Sequence, residues 1–218
     1  MRAAVFGVSD GLVSNVALIL GVAGASTQAP LVRVAGISGL LAGAFSMAAG
    51  EYVSVKAQNE LIERELDIER RSIAEKPEAE TNELASIYEQ RGIGPVHARR
   101  IAIAIMADPE VALDVHAREE LGIAPDNLAS PYAAAGSSFG AFAVGAIVPL
   151  VPWFFAGGTA AVLMSLLAGL LAAVAVGALI ARYTERSLVR TAARQVLVAG
   201  LSCAVTWLIG SAFGSQVT

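Results

Sequence analysis

Apolar residues form long unbroken runs towards the two ends of the chain and recur at spaced positions in its middle. Residues 3–25 make the first run, interrupted by Asp10, and residues 34–55 the second, with Glu51 near its end. Each is long enough to cross a bilayer as a helix, which takes about 20 residues. Residues 26–30 (STQAP) read as a short turn between them. No charged residue occurs from Asn127 to Ala181. That length fits two more spans, residues 132–155 and 159–181, divided near Gly157 and Gly158. Trp153, Phe154 and Phe155 suit the aromatic belt at a membrane surface. A fifth span covers residues 192–213, after a basic loop carrying Arg182, Arg186, Arg190 and Arg194.

The middle of the chain reads differently. From Lys56 to Lys76, Leu61, Ile62, Leu66, Ile68 and Ile73 recur at helix-like spacing among acids and arginines. No helix breaker separates this stretch from span two, so one helix is expected to run through both. Pro77 starts a new helix over residues 78–90, with Leu84, Ile87 and Tyr88 as its apolar side. A turn at residues 91–95 leads to a helix over 96–106, with Ile101, Ile103 and Ile105 apolar and Arg99 and Arg100 exposed. Asp108 and Pro109 cap a last one that ends at Leu121 and Gly122. The fold class is therefore an all-α membrane protein of five transmembrane helices, with a helical module between spans two and three. Its parts are residues 1–56, 57–126 and 127–218. The basic loop places that module on the cytoplasmic side, and Arg2 agrees, while Arg33 dissents.

Composition supports this division. The chain of 218 residues is 56% hydrophobic, with a mean hydropathy of +0.63, too apolar for an ordinary soluble domain. Residues 51–126 hold nine basic against 17 acidic residues, a net −8, while the remainder holds six against two, a net +4. An acidic module argues against nucleic acid and for cations or basic partners. The single cysteine, Cys203, excludes an intramolecular disulfide and a multi-cysteine zinc site. No cleavable leader is expected, because the first apolar run is long and preceded only by Arg2.

Three groups of residues could carry chemistry. Asp10 lies inside an apolar run, where an acid is costly and usually functional; the plainer reading is a helix-end aspartate. Ser14 and Asn15, one turn on, could add oxygen ligands. Met47 and Glu51 are four apart and share a helical face. A thioether beside a carboxylate suits a borderline divalent ion better than Mg²⁺ or Ca²⁺. The plainer readings are Met47 as core filler and Glu51 paired with Lys56. Glu69 lies 18 residues beyond Glu51, roughly five helical turns or about 27 Å along the same face. Glu80 and Glu83 repel one another at i,i+3 without a cation, and His116 stands one turn before Glu120. These carboxylates are either a divalent-cation pocket or a solvated acidic face with pairs such as Glu60 with Arg64 and Asp67 with Arg71. His97 has no partner at ligand spacing and reads as a surface residue.

The stretches GVSDGLVSNVALILGVAGA and GLLAGAFSMAAGEYVSVKAQNE, with PEAETNELASIYEQRGI and HAREELGI in the module, resemble the vacuolar iron transporter family. SFGAFAVGAIVPLVPWFF and RTAARQVLVAGLSCAVTWLIG are similar to its third and fifth spans. The resemblance covers essentially the whole chain. It implies a homodimer that exports Fe²⁺, often Mn²⁺ as well, from the cytosol in exchange for protons. Asp10, Met47 and Glu51 would form the transport path, and Glu69, Glu80, Glu83 and Glu120 would bind metal in the module. Two departures stand out. Ser72 replaces a glutamate expected three residues after Glu69, and His116 and Ala117 stand where methionines can precede the last glutamate. Glu65, Glu119 or His116 would then serve as alternative ligands.

The expected activity is transport, not enzymatic catalysis, with Fe²⁺ or Mn²⁺ as cargo and module-bound ion and no prosthetic group. The partners are metal ions, protons, lipid and a second copy, without nucleic acid, and the compact size points to a prokaryotic plasma membrane. The rival readings are a membrane-anchored metal-binding or metal-sensing scaffold and a carboxylate ferroxidase. The ferroxidase would need a Glu-x-x-His pair on two helices, and the chain lacks it.

Overall fold

The computed structural model describes residues 2–120, 122–125 and 128–214, with side chains from residue 5 onward. Among the described residues every element is a helix: α1 (Arg2–Ala25), α2 (Ala29–Glu75), α3 (Pro77–Gln90), α4 (Pro95–Met106), α5 (Pro109–Glu119), α6 (Pro131–Ile147), α7 (Pro152–Phe155), α8 (Gly158–Thr184) and α9 (Leu188–Gly214). Two compact units result, one from residues 1–52 with 132–218, the other from residues 53–131. The expected helix end at Leu121 and the expected boundary at Asp126 and Asn127 lie outside the described residues.

In the first unit the packing is set by small residues. α1 lies against α8 and α9. It buries Leu12, Val16, Ile19, Leu20 and Ala23. A Cβ on Gly11 would collide with the Phe142 carbonyl, and one on Gly210 with the Gly21 carbonyl, so α6 and α9 approach α1 backbone to backbone. Polar groups close the remaining gaps. Asn15 Nδ2 donates to the Ala146 carbonyl at 2.6 Å, and Thr206 Oγ1 donates to the Ala17 carbonyl at 2.7 Å. Leu163, Leu167, Leu171, Leu197 and Leu201 point outward on α8 and α9, as lipid-facing side chains do. Segments 5–25, 29–75, 158–184 and 188–214 hold helices long and apolar enough to cross a membrane.

Several expectations for this unit are corrected. The third span is not one helix over residues 132–155. α6 stops at Ile147, a turn follows, and α7 restarts at Pro152. Pro149 and Pro152 supply no backbone N–H and clash with a continuing helix. The turn instead bonds Leu150 N to the Ile147 carbonyl at 3.0 Å and Trp153 N to that of Leu150 at 3.1 Å. Trp153 is no belt residue: it is 1% exposed and packs with Ile19, Val32, Leu150 and Ala161, while Phe155 is 83% exposed. The basic loop contracts to residues 185–187, because Arg182 lies in the last turn of α8 and Arg190 and Arg194 belong to α9. In span two, Gly36, Gly39 and Gly43 lie against Leu150, Leu18 and Phe142.

In the second unit the helices start alike. Pro77, Pro95 and Pro109 each take the first helical position, where the missing N–H costs nothing. The Asp108 carboxylate caps α5 by accepting from Glu110 N at 3.0 Å. Residues 53–75 of α2 contribute Ile73, which packs with Ala112 and Leu113 of α5. Leu84, Ala85 and Ala102 join α3 to α4. Ile101 and Ile103, expected on the apolar side of α4, are exposed, and Ala98 and Ala102 are buried in their place. Leu61 and Ile68 likewise face outward.

Candidate functional site

Two places gather polar groups. In the first unit a cavity of about 310 Å³ opens between α1, α2 and α6. Asp10, Ser14, Asn15, Ser46, Met47 and Phe142 line it. α1 presents Asp10, Ser14 and Asn15 together because the latter two follow Asp10 by about one turn. Gly39 and Gly43 leave the space, since a side chain on either would meet Leu18 or the Phe142 ring. Asn15 is buried, and its Oδ1 accepts no hydrogen bond. The Ser14 hydroxyl donates to the Asp10 carbonyl at 2.6 Å. Asp10 and Met47 thus share one cavity. Glu51, one turn beyond Met47 and half-buried, is not among its lining residues. Lys56 does not pair with Glu51; its Nζ lies 3.4 Å from Glu60.

In the second unit three helices converge on His116. Its Nδ1 lies 3.1 Å from Glu69 Oε1, 3.7 Å from Glu120 Oε2 and 3.9 Å from Glu80 Oε2. α2 contributes Glu69, α3 contributes Glu80, and α5 contributes His116, with Glu120 as its C-cap residue. Ligand atoms of Glu69, His116 and Glu120 all lie within 4.8 Å of one another. Burial, then the charges of Glu120, Glu80 and Glu83, pushes the Glu69 carboxyl up to about 7. Glu80 is also raised, first by burial and then by Glu83, with His116 and Lys76 opposing. Glu83 is exposed and acts on the cluster through its charge.

The other expected ligands lie elsewhere. Glu119 pairs with Arg91, and Glu65 lies 3.7 Å from Arg64. The expected pairs of Glu60 with Arg64 and Asp67 with Arg71 do not form. Glu60 takes Lys56, and Asp67 takes Arg70 at 3.0 Å. Arg71 bonds the Asp67 backbone carbonyl instead. His97 is exposed. Ser46 and Phe142 were not among the expected site residues; a serine one residue before Met47 was the available signal for Ser46.

Long apolar helices packed through glycines around a polar cavity define the class, a multi-pass helical membrane protein. Sequence comparison gives the particular family: the chain matches the VIT family over residues 1–211 and belongs to it. It is 40% identical to the vacuolar iron transporter of Acanthamoeba castellanii over 151 residues, 69% of this chain and 54% of that protein. It is 34% identical to vacuolar iron transporter 2 of Oryza sativa over 155 residues, 71% of this chain and 63% of that one. The match to vacuolar iron transporter 1 of Tulipa gesneriana is 31% over 216 residues, 99% of this chain and 87% of the tulip protein. The alignment thus spans less than two thirds of the first two relatives. All three carry the names of transporters, not of enzymes.

Proposed function

We propose that this chain transports divalent metal, Fe²⁺ and also Mn²⁺, out of the cytosol in exchange for protons. The observation that carries the reading is one cavity among apolar helices lined by a carboxylate (Asp10, itself exposed), a thioether (Met47) and an unpartnered amide oxygen (Asn15). An acid there is costly unless it serves an ion or a proton. The mixed donor set suits a borderline divalent ion. The names of the relatives point the same way.

In this reading the spans are α1, α2 to about residue 55, α6 with α7, α8 and α9. The second unit is cytoplasmic, on the side where Arg182, Arg186, Arg190 and Arg194 cluster. Glu69, Glu80, Glu83 and Glu120 gather the ion and strip part of its water. Glu51, Met47 and Asp10 then carry it across, and the carboxylates exchange protons for metal as they do so. The host membrane is either vacuolar, as the relatives' names suggest, or the plasma membrane expected from the compact size. The working form is a homodimer, a mass to be read in lipid nanodiscs.

The deciding experiment is proton-coupled Fe²⁺ and Mn²⁺ flux in proteoliposomes. Asp10→Ala and Glu51→Ala should each reduce flux to background while the protein still inserts. Undiminished flux in Asp10→Ala would sink the reading. Metal binding without any flux in the parent protein would favour the scaffold alternative.

A further inference from the structure

Among the described residues His116 is the only titratable group of the second unit that is fully enclosed, at 0% exposure. Neither of its ring nitrogens makes a hydrogen bond among the described residues. A buried polar group left so costs about 1–3 kcal/mol, so each such group calls for an explanation, an ion or water in the partner position among them. Three carboxylate oxygens stand 3.1 to 3.9 Å from Nδ1. Ligand atoms around an ion with bonds of about 2.1 Å lie about 3–3.4 Å apart, so Nδ1, Glu69 and Glu120 need only small shifts to share one.

Charge points the same way. Among the described residues, Glu69, Glu80 and Glu120 form no ion pair with lysine or arginine, whereas Glu65 and Glu119 each have one. Three carboxylates around one imidazole leave an excess of negative charge, even if the ring carries a proton. A divalent ion held by a neutral ring comes closer to balance. A purely structural histidine would instead be expected to have at least one nitrogen hydrogen-bonded.

We infer that His116 is the selectivity ligand of the second unit: its Nδ1 joins the carboxylates of Glu69 and Glu120 in a mixed nitrogen and oxygen site that favours imidazole-binding divalent ions over Mn²⁺, Mg²⁺ and Ca²⁺. This rests on reading that unit as a cation site. The chemistry is the ligand's: imidazole suits iron, nickel, copper and zinc, while all-oxygen sites suit manganese, magnesium and calcium. Glu80 then stands beside the ion as a further carboxylate.

The test uses tag-free, full-length protein in detergent with His97→Gln, which leaves one imidazole in a chain of two histidines. Co²⁺ serves as an air-stable probe and Mn²⁺ as competitor. Co²⁺ should outcompete Mn²⁺, and X-ray absorption of the Co²⁺ form should carry imidazole scattering. His116→Ala should weaken Co²⁺ at least about tenfold, leave Mn²⁺ within about threefold, and remove that scattering. If His116→Ala does not fold, the absorption spectrum of the His97→Gln protein decides alone. Bound Co²⁺ without imidazole scattering, or an equal loss of both ions in His116→Ala, overturns the role of His116 and leaves the cation site standing. If neither ion binds, and Glu69→Gln with Glu120→Gln changes nothing, both readings fall.

Discussion

Glu69 is a carboxylate with too little water and too many like neighbours. Its pKa rises to about 7 from an ordinary 4.5, so between those values the folded chain holds a proton that the unfolded chain has released. Stability therefore falls as pH rises through that window, and the penalty is complete above about pH 7. Glu80, raised for similar reasons, acts in the same direction. With a chelator present, the thermal midpoint should be lower at pH 8 than at pH 5. A divalent ion at about 100 times its dissociation constant should return about 2.7 kcal/mol at pH 8. Scanning calorimetry with and without Mn²⁺ or Co²⁺ checks both, and a midpoint that rises with pH in chelator would contradict this account of Glu69. The carboxylates were legible in the sequence as acids on helices. The enclosure of His116 was not, because it comes from α2, α3 and α5 closing over one side chain. Spacing within α5 offered only its nearness to Glu120.

At the scale of elements, caps and close contacts set the limits. Asp108→Ala removes the carboxylate that accepts from Glu110 N and should cost about 1 kcal/mol. The second unit should melt a few degrees lower, with faster amide exchange in the first turn of α5 and unchanged flux at 25 °C. Gly11→Val is harsher. Its side chain meets the Phe142 carbonyl, so α1 and α6 must part and the cavity beside Asp10 loses its wall. Flux should drop to background, and gel filtration should return less folded protein. Helix positions followed well from apolar runs and prolines, including the unbroken α2, whose residues 52–75 contain neither glycine nor proline. The third span was the exception. Its composition is apolar throughout, which hides a backbone break, and Pro149 and Pro152 were the residues that marked it. Pairing between helices was the least legible feature, since lipid-soluble runs look alike until glycines select which backbones can meet.

At the scale of the whole molecule, the comparisons and the apolar helices agree on a membrane protein of the VIT family. The unequal lengths of its helices carry a consequence for the lipid. α8 and α9 have 27 residues each, about 40 Å of helix. α6 has 17, or about 26 Å. A hydrocarbon layer of about 30 Å therefore exceeds α6 by several ångströms. The excess falls on the turn at residues 148–151, where carbonyls are met from within the protein, that of Ile147 by Leu150 N and that of Pro149 by the Ser165 hydroxyl. The longer helices can tilt to suit a thin layer, but α6 cannot stretch to suit a thick one. Reconstituted into lipids of graded acyl length, the protein should move metal fastest in the thinner bilayers and slow steadily as the chains lengthen. Bilayer thickness, set by whichever compartment houses the protein, would then regulate its rate without any ligand.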